Sequence, residues 1–329
     1  MSITSSCIST GHLPPAQRVQ ALVADAHARF KAIDDGKVAD YIPALAAVPR
    51  DLFAVCVVES GGTTHEAGDS AHLFSMQSVS KPFVFALVCE ALGDEVARAR
   101  LGVNSTGLPF NSLLAVERED GSTNPMVNAG AIAAASLAPG DTAEAKWRFI
   151  HEGLSRFAGR ELELDREVYA SEAASNQHNQ RTARLLQRYG RIYFDPGAAT
   201  DVYTRQCALK VSARDLALMS ATLANGGVHP LTRERIIDGV HCQHVLAVMV
   251  TAGLYENSGE WLYDTGLPGK SGVSGGIVAV APGKAGLCTF APPLDAAGNS
   301  VRGQLAARYL AERLGLNLFA SEASAASPP

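Results

Sequence analysis

Two stretches of strand-forming sequence near opposite ends of this 329-residue chain constrain its fold most strongly. The first, LFAVCVVES at residues 52–60, is rich in β-branched residues, and we expect it to pair with a short run at residues 72–74. The second comprises GIVAVAP and GLCTFAP, at residues 276–282 and 286–292, which are separated by a turn. Strands so distant in sequence can share one sheet only if the intervening chain brings them together. The sequence therefore predicts an antiparallel sheet of terminal strands.

Helical patterns dominate the long middle of the chain and also flank the predicted strands. Ser212 is followed three residues later by Asp215, the pattern of an acidic capping box at a helix start. Together these features predict an α+β fold in which a large helical insertion interrupts a terminal sheet. Apolar residues recur at helical spacing in residues 14–30, 142–157, 179–189, 212–225 and 301–314.

One domain is expected over residues 14–318. Its sheet region would be about 14–77 and 261–318, and its helical region about 78–260. Residues 1–13 are predicted to form a flexible N-terminus. The small, polar tail, residues 319–329, is predicted to be disordered.

The composition excludes several functional classes. The net charge is -5 and the Lys and Arg residues are scattered, so no nucleic-acid partner is predicted. No apolar run approaches the roughly 20 residues that cross a bilayer, so no membrane association is expected. The first residues lack the basic start and apolar core of a secretion signal, which favours a cytoplasmic location.

The cysteines and histidines give little support for a metal site. The six cysteines form no CxxC pair and are expected to be mostly buried free thiols. His241, Cys242 and His244 place three possible ligands within four residues, but no distant fourth ligand is evident. We interpret this segment as a polar helix start and predict neither a metal nor a cofactor.

The segment FSMQSVSKPF contains the strongest chemical signal, an S-x-x-K motif formed by Ser78 and Lys81. Residues three apart share one face of a helix, so the lysine can accept the serine proton if burial lowers its pKa. A helix N-terminus also favours the oxyanion formed in acyl transfer. Ser80 lies off the face of Lys81, so Ser78 is the predicted nucleophile.

A second motif, Lys270-Ser271-Gly272, precedes a predicted strand, as K-T-G does in acyl-transferring serine enzymes that carry S-x-x-K. The glycines around it would let a substrate approach the backbone. The N–H of Val273 is therefore a candidate oxyanion donor.

Two polar segments are suited to a small ligand. NPMVNAGA contains Asn124, which suits turn chemistry, and Asn128, whose amide can hydrogen-bond a carboxylate or amide. Glu172 precedes Asn179 by seven residues, which would place them two turns apart on one helix face. Glu172 is a candidate partner for a substrate ammonium group.

Eight segments in order closely resemble the serine-dependent glutaminase family, over about residues 38–299. The resemblance implies a serine β-lactamase-like fold and hydrolysis of L-glutamine to L-glutamate and ammonia, without cofactor or metal. It also implies a homo-oligomer, most simply a homotetramer. The segments are VADYIPALA, QSVSKPF, PFNS, NPMVNAGA, YASE, CALK, AGLYENSGEW and GLPGKSGVSGGIVAV.

The resemblance also implies roles for individual residues. Ser78 matches the nucleophile, Lys81 its proton-transfer partner, and Tyr255 a tyrosine that shares proton transfer. Whether Lys81 or Tyr255 is the general base is left open. The positions that match substrate contacts or line the same pocket are Tyr41, Asn128, Glu172, Asn179, Tyr203 and Val273.

Two residues differ from the usual pattern of the family that this chain resembles. His178 stands where an arginine is common, and it could alter how Glu172 and Asn179 are held. Ser274 stands where a glycine is usual, beside the expected oxyanion hole. We therefore expect these two residues to affect the catalytic efficiency rather than the type of reaction.

Two alternative functions are compatible with parts of the pattern. A penicillin-recognising hydrolase or peptidase would share the fold and both short motifs, but it would be expected to carry an export signal. A catalytically silent amino-acid-binding homologue would be expected to have lost Ser78 or Lys81, and both are present.

Overall fold

The computed structural model describes residues 12–117 and 123–321. The predicted N-terminal segment therefore lies almost wholly outside the described residues, as does the tail from residue 322. The strands are β1 (Ala54–Glu59), β2 (Thr64–Gly68), β3 (Phe74–Ser75), β4 (Lys210–Val211), β5 (Gly269–Ser271), β6 (Gly276–Ala281) and β7 (Ala285–Phe290). The helices are α1 (Ala16–Phe30), α2 (Pro43–Ala46), α3 (Ser80–Leu92), α4 (Asp94–Leu101), α5 (Asn128–Leu137), α6 (Ala143–Ala158), α7 (Arg166–Ser175), α8 (Gln177–Arg188), α9 (Pro196–Cys207), α10 (Ala213–Ala224), α11 (Gly239–Ala252), α12 (Ser258–Thr265) and α13 (Val301–Arg313).

Strands from both ends of the chain form one five-stranded antiparallel sheet in the order β2-β1-β7-β6-β5. β1 pairs with β7 along its length, with Cys56 opposite Cys288. This confirms the predicted α+β arrangement.

The predicted partner of β1 is wrong. β2 pairs with β1, whereas β3 pairs with β4 in a separate two-stranded sheet. β2 is an edge strand with the sequence THEAG, in which only His65 is buried. An edge strand of this kind shows no apolar run, so the sequence gives it no strand signal.

The alternation of side chains along β1 divides the core into two layers. Val55 and Val57 pack with α1 and α13 on one face, whereas Cys56 and Val58 face the helical region. α10 covers this second face and lies close to Gly286 of β7, where an added Cβ atom would be 2.2 Å from the backbone nitrogen of Ala221. The helical region is thus seated directly on the sheet.

The helical region contains one predicted turn and one unpredicted break. The backbone N–H of Met126 donates to Asn124 Oδ1 over 2.9 Å, which is the turn chemistry expected of Asn124. The helix expected to link Glu172 and Asn179 is interrupted at Asn176, where α7 ends and α8 begins. The seven-residue spacing therefore does not place these side chains on one helix.

The five cysteines in the described residues are free and buried. Cys7 lies outside those residues. The segment at His241 begins α11, and both His241 and His244 bind Asp94, at 2.8 and 3.1 Å. Within residues 12–117 and 123–321, no group of His, Cys, Asp or Glu side chains is arranged to hold a metal. None of the helices described there combines the length and apolar character needed to cross a bilayer.

The predicted capping box at α10 is formed. The backbone N–H of Ser212 donates to Asp215 Oδ2 over 2.8 Å, and Ser212 Oγ accepts from the N–H of Asp215. Arg160 adds a salt bridge to the same carboxylate at 2.7 Å. The capping box therefore joins the start of α10 to a salt bridge between buried Asp215 and exposed Arg160.

We expect Ser212→Ala to lower the free energy of unfolding by about 1–2 kcal/mol because it removes this cap. Thr142→Ala is the control, since exposed Thr142 caps α6 through one hydrogen bond to Ala145. Denaturant titration of both variants should show a smaller loss for Thr142→Ala. An equal loss would contradict a special role for the capping box.

Candidate active site

Ser78 lies in a short 3-10 turn, Gln77–Val79, immediately before α3, and the first turn of that helix carries Lys81. Lys81 Nζ is 3.0 Å from Ser78 Oγ and donates to Asn128 Oδ1 over 2.7 Å. Both side chains of the S-x-x-K motif are buried. The structure thus brings a hydroxyl and an amine together out of bulk water.

Burial governs the charge of Lys81. It lowers the pKa of Lys81 to about 8, although the thiol of Cys207 and the carboxylate of Glu172 favour the charged form. A substantial fraction of this amine is therefore neutral slightly above neutral pH. A neutral amine within hydrogen-bond distance of a serine can accept its proton.

Ser80 has a structural environment instead. Its Oγ donates to the backbone carbonyl of Gln77 over 2.8 Å and accepts from Gln206 Nε2 over 3.1 Å. Ser80 is fully buried. Its hydroxyl is therefore engaged on both sides, away from Lys81.

Tyr255 approaches Ser78 from the turn that follows α11. It adopts φ +56°, an uncommon conformation for a bulky residue. Its hydroxyl donates to the Ser271 carbonyl over 3.3 Å, and the nearby Ser78 side chain favours its ionised form. Burial raises the pKa of Tyr255 to about 12, so the phenol is protonated near neutral pH.

The K-S-G motif precedes β6, the strand expected to follow it, and also contributes to the sheet itself. Lys270 and Ser271 belong to β5, which pairs with β6. The Cα of Gly272 lies against the turn at Ser78, because an added Cβ atom would be 3.3 Å from the backbone nitrogen of Val79. Val273, the next residue, lines the same cavity as Ser78.

A cavity of about 250 Å³ opens beside Ser78. Its volume suits a small molecule, and its walls are mixed polar and apolar. Of the predicted site residues, Lys81 and Tyr255 contact Ser78 from behind the cavity wall. The others line the cavity: Tyr41, Ser78, Asn128, Glu172, Asn179, Tyr203 and Val273.

Glu172 is the buried carboxylate of the cavity. Burial raises the pKa of Glu172 to about 7, while a hydrogen bond from Gln77 and the charge of Lys81 act in the opposite direction. Gln77 Nε2 donates to Glu172 Oε2 over 3.2 Å. An ionised carboxylate here would favour a cationic group of the ligand.

Sequence reasoning missed Gln77 although it directly precedes Ser78. Its side chain lines the cavity, and its backbone has φ +50°. The contact with Glu172 joins residues 95 positions apart, which no local pattern reveals. The only available signal was its position within the QSVSKPF segment.

Asn128 connects Lys81 to the rest of the cavity. Its Oδ1 accepts from Lys81 and, over 3.2 Å, from the hydroxyl of Tyr203. Its Nδ2 donates to Asn179 Oδ1 over 3.1 Å. Both ends of the Asn128 amide are thus engaged within the protein, so it holds Lys81 in place.

The aromatic side chains of Tyr41 and Phe110 also line the cavity. The side chain of Tyr41 is exposed there, but burial of its hydroxyl and the nearby Tyr255 and Glu172 raise its pKa. The ring of Phe110 packs on Tyr255 with centroids 4.4 Å apart. Phe110 was another residue that sequence reasoning did not assign.

The two departures from the family pattern occupy different places. His178 lines the cavity and its Nε2 is 2.5 Å from the carbonyl of Asn111, which links the start of α8 to the loop that carries Phe110. Ser274 lines a separate cavity of about 150 Å³ behind Val273. Only His178 therefore faces the candidate site directly.

A sequence profile of the Glutaminase family matches residues 36–319. The chain belongs to the glutaminase family. It is 60% identical over 316 residues to "Glutaminase 2" of Yersinia pestis, an alignment that covers 96% of this chain and 93% of that protein.

Solved structures agree with this assignment. The fold matches a structure described as probable glutaminase ybaS with a TM-score of 0.92 and 44% identity, covering 94% of this chain and 100% of the other. It also matches a probable glutaminase from Bacillus subtilis complexed with 6-diazo-5-oxo-L-norleucine, with a TM-score of 0.84 and 31% identity over 93% and 97% of the chains. The predicted serine β-lactamase-like α+β fold is confirmed.

Proposed function

We propose that this member of the glutaminase family hydrolyses L-glutamine to L-glutamate and ammonia through a γ-glutamyl ester on Ser78. The observation that carries the proposal is the 3.0 Å contact between Lys81 Nζ and Ser78 Oγ at the wall of a small cavity. Glu172 in the same cavity supplies a carboxylate for the α-ammonium group of an amino acid. The Bacillus subtilis relative in complex with 6-diazo-5-oxo-L-norleucine, a glutamine analogue, supports this ligand class.

The substrate is oriented by its α-groups. Glu172 pairs with the α-ammonium, while Asn179 and the hydroxyls of Tyr41 and Tyr203 surround the α-carboxylate. The side-chain amide then points to Ser78. Asparagine is shorter by one methylene, so it cannot satisfy the α-group contacts and reach Ser78 at the same time.

Acylation begins when neutral Lys81 accepts the proton of Ser78 and Oγ attacks the carbonyl carbon of the γ-carboxamide. The backbone N–H groups of Ser78 and Val273 stabilise the oxyanion. Tyr255 lies beside the same hydroxyl. It relays the proton from Lys81 to the leaving nitrogen, which departs as ammonia. Water then attacks the ester by the reverse proton route and releases L-glutamate.

The oligomeric state and the cellular location are also proposed. We take the protein to be a cytoplasmic homotetramer, on the basis of its sequence composition and its resemblance to the family. Light scattering of the purified protein measures the mass in solution and tests the first of these directly.

Ser78→Ala is expected to reduce ammonia release from L-glutamine by at least about 10⁴-fold, because the acyl-enzyme cannot form. Ser80→Ala is the matched control and should keep most of the activity, since Ser80 contacts Gln77 and Gln206 but not Lys81. Coupled measurement of ammonia, with L-asparagine as a second substrate, tests both statements. Equal loss in the two variants, or equal turnover of asparagine, would contradict the proposal.

The kcat/KM for glutamine is expected to rise with pH between about 6 and 9. Glu172, with a pKa raised to about 7, must lose its proton to bind the α-ammonium. Lys81, with a pKa lowered to about 8, must lose its proton to act as a base. Both ionisations therefore favour activity at higher pH. Initial rates across this range measure the pH profile, whose lower limb is assigned to Glu172 and whose upper limb is assigned to Lys81. Activity that fell steadily from pH 6 to 8 would contradict this assignment.

Gln77→Leu separates the two ionisations. Removing the donor to Glu172 Oε2 destabilises the carboxylate and should raise its pKa further. The lower limb of the pH profile should then move to higher pH, while the limb assigned to Lys81 stays in place. An unchanged lower limb would show that Glu172 does not control it.

A further inference from the structure

A second fully buried lysine, Lys270, lies against the ring of Tyr255 and takes no part in the steps above. Lys270 Nζ donates to the carbonyls of Gly253 and Ser271, both at 2.8 Å. It also lies 4.2 Å from the centroid of the Tyr255 ring. One amine therefore contacts the end of α11, the strand β5 and the ring of the tyrosine that reaches Ser78.

The contacts of Lys270 constrain Tyr255 from two directions. The Ser271 carbonyl that accepts from Lys270 also accepts from the Tyr255 hydroxyl, at 3.3 Å. The Gly253 carbonyl lies two residues before Tyr255 and also accepts from the backbone N–H of Ser271, at 3.3 Å. Lys270 thus fixes both the chain that leads into Tyr255 and the acceptor to which its hydroxyl is bound.

The backbone of Tyr255 needs such support. A bulky residue at φ +56° persists only where its surroundings hold it there. Phe110 packs against the ring, with centroids 4.4 Å apart, and Ser258 Oγ donates to the Tyr255 carbonyl over 2.8 Å. Lys270 adds two hydrogen bonds to those that tie this conformation to the sheet.

We infer that Lys270 is a positioning residue for the reaction, which holds the Tyr255 hydroxyl at Ser78 by bonding the Gly253 and Ser271 carbonyls beneath the tyrosine ring. This inference rests on the proposed function. It assigns Lys270 a role distinct from substrate binding, because the cavity walls do not include its side chain.

The role does not require Lys270 to be charged. Burial and the positive charge of Lys81 lower the pKa of Lys270 well below its usual value. A neutral amine still has two N–H groups, and the charged form has three. Either form can therefore serve both carbonyls.

The test is Lys270→Met, which keeps the length of the side chain but removes its donors. Displacing Tyr255 should lower kcat for glutamine by about 100-fold, the scale of loss expected from a small misplacement of a reacting group. KM should stay within about threefold because Glu172 and Asn179 keep their contacts. Lys146→Met is the control, since Lys146 is also buried and donates to a carbonyl, that of Ala138, remote from Ser78.

A double-mutant cycle shows whether the effect passes through Tyr255. In a Tyr255→Phe background, Lys270→Met should change kcat by less than about threefold, because the hydroxyl that it positions is already gone. Equal losses in the two backgrounds, or a similar kcat loss for Lys146→Met, would overturn the inference. So would a Lys270→Met enzyme that retains wild-type kcat.

Two further measurements keep the outcomes distinct. If Lys270→Met does not give folded protein by circular dichroism, Lys270→Leu, which also lacks donors, is carried through the same cycle under the same criteria. If the wild-type enzyme releases no ammonia from glutamine, the proposed function fails. Labelling of Ser78 by 6-diazo-5-oxo-L-norleucine, followed by mass spectrometry, then compares wild type with Lys270→Met. An unchanged labelling rate would overturn the role of Lys270 separately.

Discussion

The burial of Lys81 beside Ser78 is the interaction on which the candidate site depends. An amine removed from water loses hydration, and this cost lowers its pKa toward the range in which it can act as a base. The site offsets part of the cost with two hydrogen-bond partners, Ser78 and Asn128. The site therefore has to exclude water from Lys81 and also hold both partners at hydrogen-bonding distance.

That requirement explains why Asn128 is tied at both ends. An amide oxygen that accepts from Lys81 must not rotate away, and Tyr203 and Asn179 prevent the rotation by bonding the same side chain. Three helices, α5, α8 and α9, contribute to this arrangement. The position of Lys81 thus depends on packing throughout the helical region, which itself packs on the sheet through α10.

The parts that could be predicted from the sequence are those with local signals. The spacing of Ser78 and Lys81 needs one helical turn, and the capping box at Ser212 needs four residues, so both are visible in the chain alone. The hidden parts depend on contacts between distant residues. The edge strand β2 has polar side chains, the helix break at Asn176 has no glycine or proline to mark it, and Gln77 meets Glu172 only in the folded protein.

The K-S-G motif shows where local interpretation is incomplete. From the sequence, its glycine is expected to give access to the backbone at Val273. In the structure, Gly272 lies against the turn at Ser78. Its lysine is explained only by the fold, because Lys270 reaches from β5 to the end of α11 and beneath the ring of Tyr255. Ser78 and Lys81 come from the helical region, whereas Val273 comes from the loop that follows β5. The proposed reaction requires this boundary to be fixed, so that Ser78 and the backbone N–H of Val273 keep their relative positions. A buried amine bonded to both β5 and the end of α11 is one physical means of fixing it.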